Sequence, residues 1–161
     1  MAFFWAIYER YQEGLRDLPV EMNPILEGCG PNYWLSALLI HKDAMCCQVR
    51  GEQDVCYIKT PGKTCPTEIL ELLAKNNAEG RPIWKPMHMQ PIYRMHGFVT
   101  REGNGRAKTN AYISGGTKGA DGNPLDVGMD IFHRGLCLPS DNKMTREQQD
   151  RIIEMVKSCF S

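Results

Sequence analysis

The chain has 161 residues, enough for one domain with a real hydrophobic core, so neither disulfides nor a metal is needed to hold it together. Nineteen basic residues balance nineteen acidic ones, and the formal net charge of zero argues against a nucleic-acid binder and an electrostatic membrane anchor. The longest apolar runs, MAFFWAIY and YWLSALLI, fall far short of the roughly 20 residues that span a bilayer, and no cleavable leader follows Met1, so a soluble cytoplasmic protein is expected.

From about Ala6 to Leu15 the 3.6-residue period puts Ile7, Tyr11 and Leu15 on one face of a short amphipathic helix. The run 31–40, PNYWLSALLI, lacks clean alternation and predicts a strand covered on both faces, central in a small sheet. Residues 41–65 mix charge, Gly and Pro, which fits an excursion with one short strand at DVCYIK. Pro66 stands at a helix start, with Ile69, Leu72 and Leu73 as its apolar stripe and Asn77 and Gly80 as its stop. RPIW (81–84) reads as a strand too rich in proline to be central, and a loop follows from Lys85. The Gly- and Asn-rich stretch from Arg101 to Asp126 predicts a long surface loop, and GLCLPS predicts a short strand. Thr145 with Gln148 forms a capping box for a last helix whose Ile152, Val156 and Phe160 share a face. The order of elements predicts an α+β fold: a small antiparallel or mixed sheet of three to four strands packed with helices.

Seven cysteines, two of them adjacent and none in a C-x-x-C pair, suggest reduced thiols. His41, Cys46, Cys47, Cys56 and Cys65 lie close in sequence, but they lack the two closely spaced ligand pairs of structural zinc, so no metal is expected. No thiol shows a helix start or paired cation that would lower its pKa. GGTKGADG lacks the spacing of a phosphate-binding loop, and His41, His96 and His133 are isolated.

The chemistry concentrates in RPIWKPMHMQPIY, 81–93. Arg81, Lys85, His88 and Arg94 offer donors to anionic oxygens, Trp84, Met87, Met89 and Tyr93 offer flat or soft apolar surface, and Pro82, Pro86 and Pro91 stiffen the backbone. That set suits a phosphorylated ligand with a ring. The competing explanation is a rigid crossing in which Trp84 and Ile83 plug the core.

GRPIWKPMHMQPIY followed by FHRGLCLPSDNKMTREQQDRIIEMV resembles the C-terminal small domain of the DegT-type pyridoxal-phosphate-dependent sugar aminotransferases, of fold type I. AIYERYQEGL, NYWLSALLI and PTEILELLAKNNAEG are similar to that family's entry helix, next strand and next helix, so the resemblance runs from Ala6 to the end. Residues 1–5 form an atypical start, and the stretches 45–65 and 101–126 are longer than the usual family connections. The resemblance implies a single small domain whose large cofactor-binding domain, bearing the Schiff-base lysine, is absent. None of the nine lysines sits in the family's lysine motif, so the resemblance implies no catalytic residue in this chain and no covalently bound pyridoxal phosphate. In the complete enzyme, a nucleotide sugar and a glutamate amino donor are the implied partners. His88 matches the family's His-x-Gln histidine near the phosphates; Lys85 and Gln90 flank it, and Arg81, Trp84 and Tyr93 complete the wall. The family is usually homodimeric. The alternative is a noncatalytic binding module or an inactive remnant.

Overall fold

In the computed structural model, which describes residues 2–50, 55–93, 97–100, 103–106 and 126–161, the chain forms two units, residues 1–82 with 134–161 and residues 83–133. The elements in order are α1 (Ala2–Leu15), β1 (Val20–Met22), β2 (Ser36–Ile40), β3 (Cys47–Arg50), β4 (Val55–Ile58), α2 (Pro66–Lys75), β5 (Arg81–Pro82), β6 (Gly97–Thr100), β7 (Gly103–Arg106), α3 (Val127–Arg134), β8 (Gly135–Leu138) and α4 (Arg146–Ser158). The α+β class expected from the sequence holds. Among the described residues, no helix is long and apolar enough to cross a membrane.

The first unit is built on a four-stranded antiparallel sheet in the order β1-β2-β8-β5. Its two inner strands are the apolar ones: β8 is buried throughout, and β2 nearly so, which is why neither shows a two-residue alternation. Leu38 lies opposite Leu136 in the register, and with Ile40 and Leu138 these side chains meet Ile7, Tyr11 and Leu15 of α1, Ile69 and Leu73 of α2, and Ile152, Ile153 and Val156 of α4. The edges are short. Pro82 lacks a ladder donor, and β5 runs for two residues only, shorter than the expected strand but at the edge as anticipated.

The helices are locked by specific contacts. Thr145 Oγ1 accepts from the Gln148 amide at 3.2 Å and Gln148 Oε1 accepts from the Thr145 amide at 2.9 Å, so the capping box forms. Gly14 lets α1 approach α4: a Cβ there would stand 2.6 Å from Ile153 Cδ1. The Tyr11 hydroxyl donates to the Pro139 carbonyl at 2.8 Å, and burial pushes its pKa far up.

Three sequence expectations need correction. The first helix begins at Ala2 rather than Ala6, and the strand of 31–40 occupies only 36–40. The excursion 41–65 holds two strands instead of one, paired antiparallel as β3 and β4. That hairpin is turned inside out: Gln48 and Tyr57 bond Thr67 and Glu71 of α2 at 2.9 and 3.1 Å, while Cys47, Val49, Cys56 and Ile58 share the exposed face. Alternation could not reveal it, since its polar side faces in.

The second unit holds two single 3-10 turns, Met87–Met89 and Pro91–Tyr93, the β6–β7 hairpin, and α3 up to His133. The expected long loop therefore contains β7 at its start and gives way to α3 after Asp126; residues 107–125, with the GGTKGADG run, lie outside the described residues, as do Arg94 and His96.

Candidate functional site

The prolines of 81–93 shape the stretch as two preformed turns. Pro86 precedes the first, closed by Met89 N to Pro86 O and Gln90 N to Met87 O, both 3.0 Å; Pro91 opens the second, closed by Tyr93 N to Gln90 O at 2.9 Å. A fixed proline φ reduces the entropy lost in ordering such turns. The Gln90 amide folds back to donate to the Lys85 carbonyl at 3.3 Å, so Lys85, His88 and Gln90 come together on one turn.

His88 anchors this turn. Its Nε2 pairs with Asp126 Oδ2, both side chains largely buried at 18% and 12% exposed. Asp126 Oδ1 accepts from the Met129 amide at 2.9 Å and so caps the start of α3, satisfying one of its orphan donors. Gly128, in the first turn of α3, admits Pro86 closely: a Cβ there would meet Pro86 Cγ at 3.3 Å. Sequence reasoning missed Asp126, although an Asp directly before VGMDIF is an N-cap signal.

This geometry limits what the imidazole can do. With Nε2–H given to the Asp126 carboxylate, a neutral ring carries a lone pair on Nδ1; to donate to an anionic oxygen there, His88 must be an imidazolium held between two anions.

The other expected residues lie differently. Trp84 is 64% exposed, which overturns its reading as a core plug, and Met87 and Tyr93 are also exposed, whereas Met89 is buried. Arg81 stands in the first unit on β5, exposed and paired with Glu79 at 2.5 Å, a surface contact worth no more than about 1 kcal/mol.

The buried thiols are poor nucleophiles. Against the expectation that no thiol meets a helix start, Cys65 sits at the N-cap of α2, where the helix amides should lower a thiol's pKa; burial wins and pushes it up to about 12. Burial likewise raises Cys159 to about 11, and raises Cys46 and Cys137. Among the described residues, no group of three or more His, Cys, Asp or Glu is placed to hold a metal ion. The described lysines are exposed except Lys85, which is half-buried, and Lys59 pairs with Glu68 at 3.0 Å.

A concave feature lies within the first unit, a groove of about 810 Å³ bounded by Phe4, Trp34, Asn76, Ser140, Arg151 and Met155 among others. Its aromatic wall is held by strained backbone. Tyr33 has φ +53°, a left-handed conformation costing roughly 1–2 kcal/mol outside glycine. Ring contacts offset this: Tyr33 meets Trp5 edge-on at 4.7 Å and Tyr8 at 4.5 Å. Asn32 Oδ1 accepts from the Trp34 amide at 3.1 Å, and Trp34 is left 59% exposed.

No family model matches the chain. The Bacillus subtilis protein EpsN, whose name describes a pyridoxal phosphate-dependent aminotransferase, is 35% identical over 95 residues, which are 59% of this chain and 19% of that protein. Among solved structures, a DegT DnrJ EryC1 StrS aminotransferase from Brucella abortus superposes with a TM-score of 0.63 at 17% identity, covering 100% of this chain and 31% of the other. PseC of Helicobacter pylori, an aminotransferase involved in pseudoaminic acid biosynthesis, gives 0.61 at 18% identity over 99% of this chain and 32% of its own. The structural matches show a shared fold, and the chain spans less than a third of these proteins' lengths. The resemblance thus stands in sequence to a pyridoxal phosphate-dependent aminotransferase and in fold to DegT-type aminotransferases, at an extent consistent with a small domain.

Proposed function

We propose that this chain works as the small domain of a pyridoxal-phosphate-dependent nucleotide-sugar aminotransferase, and that its proline-stiffened turn supplies substrate contacts. The observation that carries the reading is the Lys85–His88–Gln90 turn, held against the start of α3 by Asp126. Bound in the large domain of the complete enzyme, pyridoxal phosphate supplies the electron sink for amino transfer between glutamate and a keto sugar. This chain binds and orients. Lys85 offers a point charge and His88, as imidazolium, an N–H donor to phosphate oxygens; Gln90 fixes the turn, and exposed Trp84 and Tyr93 offer faces to a ring. The complete enzyme is read as cytoplasmic and homodimeric, acting on nucleotide sugar with glutamate as donor.

The test restores a large domain of this family, by fusion or as a separate chain, and measures nucleotide-sugar binding by calorimetry together with amino transfer. His88→Ala and Lys85→Ala should each weaken binding by about tenfold or more, as the loss of a charge-assisted hydrogen bond does. Full affinity and rate in both variants, in a folded and cofactor-loaded enzyme, would reduce the turn to scaffold.

A further inference from the structure

We propose that the exposed thiols of Cys47 and Cys56 form a two-coordinate site for a soft ion of the copper(I) kind, bridging the β3–β4 hairpin. The register of that hairpin sets Cys47 opposite Ile58 and Val49 opposite Cys56, so the two thiols are diagonal neighbours on one face. Both are free and exposed, on the side of the hairpin away from the Gln48 and Tyr57 bonds to α2. Cys46, next in the chain, is buried and takes no part. The site lies within the first unit and does not depend on the turn that carries the functional reading.

Distance selects what the pair can hold. Diagonal neighbours in an antiparallel ladder have Cα atoms about 7–8 Å apart and Cβ atoms somewhat closer. A disulfide needs Cα atoms within about 6.8 Å and sulfurs about 2 Å apart, so direct oxidation of this pair would have to distort the ladder. An ion joining two thiolates in line, with metal–sulfur bonds of about 2.3 Å as in zinc thiolates, needs sulfurs only within about 4.6 Å. The diagonal suits the ion. Zinc itself takes four ligands, and among the described residues no third Cys, His, Asp or Glu joins the two thiols. The other diagonal of the same face is Val49 and Ile58, 58% and 67% exposed, whose methyl groups flank the gap and add no donor. Two soft sulfurs with no hard ligand beside them favour copper(I) over zinc, magnesium or calcium. On binding, each thiol gives its proton to solvent, two sulfur–copper bonds form, and copper keeps its oxidation state.

Copper(I), kept reduced by ascorbate without oxygen and buffered by bicinchoninate, should load the full 161-residue chain with one tightly held ion. Cys47→Ser and Cys56→Ser, each checked for native circular dichroism, should weaken binding by at least about a hundredfold, because the second thiolate then no longer binds within the same molecule. Cys29→Ser removes the remaining exposed thiol and should leave the affinity unchanged. The parent chain supplies a test that no substitution can disturb: with copper(I) bound, iodoacetamide should spare Cys47 and Cys56 and still alkylate Cys29, and X-ray absorption should find two sulfur neighbours around the ion. Serine variants that bind as the parent does, protection of one thiol only, zinc displacing copper at equal concentration, or a copper-dependent doubling of mass in sedimentation, as one thiol from each of two copies would give, would each overturn the proposal.

Discussion

Asp126→Ala probes the strut beneath the candidate site. It removes the cap of α3, worth about 1 kcal/mol, and strips the acceptor from a His88 side chain only 18% exposed, worth roughly another 1–2 kcal/mol. The expected loss is therefore about 2–3 kcal/mol. Asp126→Asn keeps a good capping side chain but loses the carboxylate, so about 1 kcal/mol should go. His88→Ala leaves a carboxylate 12% exposed without its ring partner and should lose roughly 1–2 kcal/mol. The double variant should fall short of the sum by about 1 kcal/mol, because the shared contact can be lost only once. Urea unfolding of the four proteins measures the coupling, and hydrogen exchange of the α3 amides reports the second unit directly, since local opening escapes a global transition. Additivity within about 0.3 kcal/mol, or unchanged protection of α3 in Asp126→Ala, would show that the strut does not exist.

Trp84→Ala should lose no more than about 2 kcal/mol at 64% exposure, against about 3–5 for a core aromatic; a urea-derived loss of 4 would put the ring back in the core. Gly14→Ala should lose about 1–3 kcal/mol through the clash with Ile153, despite alanine's better helix propensity, and Ile153→Val in the same chain should recover part of it; a stabilised single variant would refute the close approach of α1 to α4. The thiols of Cys65 and Cys159 ionise near pH 12 and 11 in the fold against an ordinary 9.0, so their stabilisation is whole below pH 9 and is lost as pH rises toward 12. The slope reaches about 1.4 kcal/mol per pH unit for each thiol. Unfolding midpoints that stay level from pH 8 to about 10.5, or a Cys65→Ala variant with the parent's slope, would contradict this.

The candidate site was legible in part. Residue types and three prolines marked 81–93 as stiff and rich in donors, because proline acts on its own backbone and needs no tertiary partner. Trp84 could not be placed, since a pocket wall and a core plug draw on the same side chains, and only exposure separates them. Asp126 stayed hidden, 38 positions from His88, because pairing across such a distance depends on where the chain returns.

By itself, the sequence determined what local chemistry decides: the start of α2 at Pro66, the capping box of α4, the apolar stripes of α1 and α4, and the buried character of β2. Each follows from neighbours within a turn or from the side chains of a single run. Tertiary structure decided the rest. It made β1 a strand by giving Val20–Met22 the edge of β2 to pair with, and it turned the β3–β4 hairpin polar side inward because Thr67 and Glu71 wait on α2. It also sealed Cys65 at a helix N-terminus, where desolvation outweighs the amides that would otherwise activate it, because the cost of burying a charge is set by everything packed around the sulfur and not by the residues beside it in the chain.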